Sequence, residues 1–152
     1  MDTLKTFDSV VIAAAADVEL GPEPINKQWI LSGNPISRSK VVARSRDMAS
    51  SLVVWDCTAG SFVWHYGQDE AIVVISGEAF MLGENGQERR LGAGDYAFFP
   101  AGSVAKWRVD TYIRKVALLR EPIWRPLGFA LKVWNKLTRK LGFAAASPLG
   151  AS

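Results

Sequence analysis

Between Ile36 and Leu119 the chain repeats one theme, short β-rich runs of four to eight residues separated by Gly, Pro, Asn or Asp, and nowhere in that block do apolar residues recur at helical spacing. The runs are Ser51 to Cys57, Phe62 to Tyr66, Ala71 to Ser76, Glu78 to Leu82, Tyr96 to Phe99, Val104 to Val109 and Thr111 to Leu119. Doubly wound α/β folds need crossover helices between parallel strands, so this pattern excludes them. Asn85-Gly86 supplies a pair that tolerates positive φ in a tight hairpin, and Ala59-Gly60 reads as a weaker turn of the same kind. Gly92-Ala93-Gly94-Asp95 and Pro100-Ala101-Gly102 bracket Tyr96 to Phe99, a strand that crosses the core once, as in a barrel or sandwich.

The flanks differ. Over residues 1–35, Val10 to Ala16 offers an added strand, whereas Gly21-Pro22-Glu23-Pro24 suits neither regular element. The arm is expected across the outside of the domain or across a partner. Beyond Arg120 the period changes: Leu127, Leu131, Trp134, Leu137 and Leu141 recur at helical steps, with Lys132, Lys136, Arg139 and Lys140 on the other side. Pro126 fits the first turn of that helix and Gly142 its C-cap. The expected organisation is an arm over 1–35, a barrel over 36–119, a basic amphipathic helix over 120–145 packed on the barrel or a partner, and a flexible tail over 146–152.

A chain of 152 residues holds one proper core, and with 49% hydrophobic residues and six tryptophans it must bury apolar surface in a core, a cavity or an interface. Cys57 is the sole cysteine, which excludes an internal disulfide framework and a thiolate-built zinc site. Asp2, one early lysine and a short apolar run followed by Asp17 and Glu19 match neither a signal peptide nor a membrane span, so a cytoplasmic location is expected. Net charge is +3, yet the residues from Arg120 onward carry six basic groups against Glu121, or +5, leaving −2 on the first 119. The strand-rich part therefore has no basic stripe for a phosphate backbone, and no nucleic acid is expected as a partner.

Two segments are more specific than strands and turns. Gly60 to Gly77 reads G-S-F-V-W-H-Y-G-Q-D-E-A-I-V-V-I-S-G, and Gly94 to Trp107 reads G-D-Y-A-F-F-P-A-G-S-V-A-K-W. Together they resemble the two signature motifs of the cupin superfamily, and W-D-C-T-A-G, W-H-Y, D-E and F-P-A-G resemble the subgroup of the ureidoglycine aminohydrolase cupin domain and the ethanolamine-utilisation cupin. The resemblance covers about residues 28–119. It implies an all-β fold, a double-stranded β-helix or RmlC-like jelly-roll barrel, here with an N-terminal arm and a C-terminal helix.

Metal-binding cupins place two histidines, a glutamate and a further histidine in these motifs. The matching positions here hold Trp64, Tyr66, Glu70 and Ala105, so Glu70 alone survives. One carboxylate and a phenol do not make a metal site, and no metal or other cofactor is expected. His65, the sole histidine, lies between two inward positions and is sent outward by strand alternation unless a bulge reverses it. The candidate ligand-binding set is Trp64, Tyr66, Glu70, Phe99, Ala105 and Trp107, an aromatic-lined pocket with one carboxylate, suited to a small polar or amine-containing metabolite. The same aromatics would equally fill a packed interior. No catalytic residue is assigned: Asp69 points away from Glu70, Cys57 lacks an inward basic partner, and Ser61 lacks an orienting acid. Three functions stay open: a metal-free small-molecule binder, an aminohydrolase-like enzyme using Glu70 as acid or base, and a structural, oligomeric cupin without ligand. A homodimer is expected, because sheet edges and the helix face gain by symmetric burial. Contact of the helix with a membrane surface is the weaker alternative for that segment.

Overall fold

The computed structural model describes residues 10–83, 85–123 and 125–140. The first nine residues of the arm, Leu141, the Gly142 cap and the 146–152 tail lie outside them. Two compact units divide at Glu121 and Pro122. Among its described residues the first holds a short 3-10 turn (Lys27–Trp29) and eight strands: β1 (Gly21–Pro22), β2 (Ile30–Gly33), β3 (Ser37–Arg44), β4 (Ser50–His65), β5 (Asp69–Leu82), β6 (Glu88–Gly92), β7 (Tyr96–Phe99) and β8 (Val104–Arg120). The described part of the second is one helix, α1 (Arg125–Lys140).

All strand pairs are antiparallel, in the order β1-β3-β4-β8-β5-β6, with β2 also on β4 and β7 also on β5. The path does not return on itself. The expectation of a closed jelly-roll, RmlC-like barrel is therefore corrected: among the described residues β1 pairs only with β3 and β6 only with β5, so the ladder bonds that closure requires are missing. What stands is an all-β unit followed by a helix.

Three strands are much longer than the sequence pattern suggests, at 16, 14 and 17 residues for β4, β5 and β8. Ala59-Gly60 is not a turn. The chain continues through it with a register shift between Thr58 and Gly60 against β8. One unmatched residue moves every later side chain to the other face. Before the shift Val53, Trp55 and Cys57 face the core, and after it Phe62 does. Strand β5 has the same device. Glu70, Ile72 and Val74 are buried, then the phase changes between Val74 and Ser76 and Ala79 is buried. Strand β8 keeps one phase, with Trp107, Val109, Ile113, Lys115 and Ala117 all buried. The core cluster runs through these residues.

The Asn85-Gly86 turn forms between β5 and β6, with Gly86 at φ 74° and the Asn85 side chain accepting from the Gln87 N–H at 3.1 Å. Val10 to Ala16 is not a strand, and its end folds into a turn in which Asp17 N–H donates to Ala14 at 3.0 Å. Gly21–Pro22, assigned no regular structure from sequence, pairs with Arg38 and Ser39 as a two-residue edge strand. An edge position suits proline, which has no N–H to offer a further strand. The arm is pinned by Arg114, whose guanidinium donates to the carbonyls of Ala15 at 3.0 Å and Val18 at 2.6 Å. Beside it Asp56, buried, accepts from Arg38 at 3.0 and 2.6 Å and from the Tyr112 hydroxyl at 2.9 Å.

Gly77 sits at φ 70°, and a Cβ built on it would lie 2.0 Å from the Tyr112 carbonyl oxygen on β8. Both the left-handed backbone and the backbone contact oppose any side chain. Gly77→Ala is expected to destabilise the fold by about 1–3 kcal/mol, read as a lower urea midpoint at unchanged slope.

Candidate functional site

Because of the phase change on β4, side chains of opposite parity meet over one cavity. Its lining comprises Glu23, Val53, Trp55, Phe62, Trp64, Tyr66, Glu70, Trp107, Lys115, Ala117 and Leu119, around a volume of about 60 Å³. That is far below the ~300–1,000 Å³ of sites for drug-sized ligands, and leaves room for a molecule of a few heavy atoms.

Four of the six residues expected from sequence line this cavity: Trp64, Tyr66, Glu70 and Trp107. Phe99 stands behind it, stacked on Tyr66 with ring centroids 4.3 Å apart, and Ala105 pairs with Trp64 across β4 and β8 without joining the lining. His65 is exposed and packs against Trp29, with ring centroids 5.0 Å apart. Among the described residues no three His, Cys, Asp or Glu side chains gather as a metal site would need. Asp69 serves the turn before β8, accepting from the Ala101 N–H at 2.9 Å. Burial pushes the Cys57 thiol up to about 12, so at neutral pH it offers no thiolate.

Two residues that sequence reasoning did not place here dominate the chemistry. Lys115 is buried, and its Nζ donates to Glu70 Oε1 at 2.6 Å. The ammonium also lies 4.8 Å from the Trp55 ring centroid and 5.1 Å from that of Trp107. It thus stands in the place foreseen for an amine ligand, between indole faces and a carboxylate. Pairing answers the question raised by a buried glutamate, since a carboxylate out of water needs a cation or donors.

Trp55 supplies the second feature. Its indole Nε1 is buried and has no hydrogen-bond partner among the described residues. By contrast the Trp107 indole donates to the Tyr66 hydroxyl at 3.0 Å. Burial, then the charge of Glu70, raises the Tyr66 phenol above its ordinary range, so the hydroxyl keeps its proton and can donate in turn. The residues lining the cavity therefore bring a buried, unmet indole N–H, a lysine ammonium and a phenolic O–H, with the Glu70 carboxylate already engaged and Glu23 as a second acid.

Two variants test this pairing. Lys115→Met, which strands the Glu70 charge, is expected to lower stability by about 3 kcal/mol or more, and adding Glu70→Leu to recover most of it. Chemical denaturation of the single and double variants reads the difference. Cys57 is expected to resist iodoacetamide at neutral pH in the folded protein and to react once unfolded, measured by mass spectrometry.

Residues 44–117 match the family model described as the EutQ-like cupin domain. A protein of unknown function from Pseudomonas syringae pv. tomato is similar in structure at 25% identity and a TM-score of 0.61, over 67% of this chain and 44% of that one. The chain thus spans less than half of that relative's length. The EutQ protein of Clostridium difficile aligns at 20% identity and a TM-score of 0.50, over 59% of this chain and 66% of that one. A predicted oxalate decarboxylase from Thermotoga maritima aligns at 18% identity and a TM-score of 0.53, covering 74% of this chain and all of its own. No curated protein matches the sequence.

Proposed function

Given that residues 44–117 form a cupin-superfamily domain related to the EutQ-like cupin proteins, we propose that this domain binds a small, acceptor-bearing metabolite, a carboxylate or carbonyl compound of a few heavy atoms, without a metal. The observation that carries this reading is the buried, unpartnered Nε1–H of Trp55, a residue that lines the cavity together with Lys115 and Tyr66. A buried donor left unmet is costly, and a ligand oxygen relieves that cost on binding. An amine is a poor fit, because the Lys115 ammonium already occupies the aromatic cage and Glu70.

The same arrangement weighs against an aminohydrolase-like reaction. Glu70 is committed to Lys115, and the positions at which related cupins carry histidines hold Trp64, Tyr66 and Ala105, so neither a free base nor a metal-activated water is available from these residues. A purely structural role needs the cavity to stay unfilled by solutes.

Titration with acetate, acetamide and methylammonium, followed on the indole N–H resonances, separates these readings. Acetate or acetamide is expected to shift the Trp55 Nε1–H signal, and methylammonium to leave it in place. Trp55→Phe, which keeps the ring and removes the donor, is expected to weaken binding about tenfold, the worth of one hydrogen bond. Saturable binding of methylammonium alone, or no response to any of the three, overturns the proposal.

A further inference from the structure

The helix α1 carries a second, independent interaction surface. Its sixteen residues include five bases, Arg125, Lys132, Lys136, Arg139 and Lys140, and no acid. At about 100° per residue, Leu127, Ala130, Leu131, Val133, Trp134 and Leu137 share one half of the circumference, while Lys132 and Lys136 lie opposite. Phe129 is the one large apolar residue on the basic side. On that half Trp134 is 66% exposed, and Leu127, Leu131, Val133 and Leu137 are exposed as well.

We propose that α1 docks on an anionic lipid surface, lying in the plane of the headgroups with Trp134 and the leucines toward the acyl chains and its lysines beside the phosphates. The charge pattern selects this occupant. A second copy packed apolar face to apolar face would bury the same arc but leave the bases on its outer sides with no acid on either helix to offset them. An anionic bilayer neutralises the same cations while it buries the same apolar arc. Among the described residues no helix is long and apolar enough to cross a membrane.

Flotation of the full chain with vesicles tests the surface. Vesicles of phosphatidylcholine containing phosphatidylglycerol are expected to carry the protein at low salt, and pure phosphatidylcholine vesicles to leave it behind. At about 1 M salt, where screening acts within ~3 Å, binding is expected to fall at least tenfold. Lys132→Glu with Lys136→Glu is expected to abolish flotation, and Trp134→Ser to reduce it, while the thermal melting of the strand-rich unit stays unchanged and shows that each variant is folded. Flotation that ignores lipid charge, or its absence with anionic vesicles, overturns the proposal. A dimer seen by sedimentation equilibrium and lost in Trp134→Ser, with vesicles ignored, assigns the face to a second copy instead.

Discussion

One interruption of strand alternation, at Thr58/Gly60 on β4, decides which side chains meet in the cavity, and β5 carries a second at Val74/Ser76. On a regular strand, Trp55 and Trp64 have opposite parity and would project from opposite faces. The bulge between them turns both indoles to the same cavity. The change on β5 likewise lets Glu70 and Ala79 both be buried on a single strand. The cavity chemistry follows from strand phase before any side chain has been chosen.

Within that frame the buried Lys115–Glu70 pair sets the polarity of the site. An unpaired Glu70 among five aromatic residues would favour cations. Because the chain supplies its own cation, Glu70 is spent, and the Trp55 indole N–H stays unpartnered. The specificity of such a pocket depends on which hydrogen bonds the protein leaves open more than on which charges it contains.

The sequence made much of this legible. Strand-rich runs, the Asn85-Gly86 hairpin and the strand Tyr96–Phe99 follow from alternation and turn chemistry, whereas the inward Trp64, Tyr66, Glu70 and Trp107, with His65 outward between the first two, follow from the resemblance to the cupin motifs. Closure of the sheet did not follow, because strand pairing at the two ends of a ladder leaves no local mark in composition. Trp55 was hidden because Ala59-Gly60 has the composition of a turn and works as a bulge, so the phase of Trp55 could not be carried across to Trp64. Lys115 was within reach: it shares parity with Trp107 along β8. Splitting that strand at Asp110, and the ordinary expectation that lysine faces solvent, concealed it.

An unclosed ladder also leaves this chain with strand margins that could recruit foreign strands. Each margin is blunted differently. β1 is two residues long and ends in Pro22, β7 is four residues long, and β6 presents Glu88, Arg89 and Arg90 in succession. Brevity, a missing amide hydrogen and a run of charge each make edge-to-edge addition unfavourable. Colloidal behaviour is thus governed here by a handful of marginal residues remote from the cavity, and sequence change at those residues bears on aggregation independently of change in the pocket.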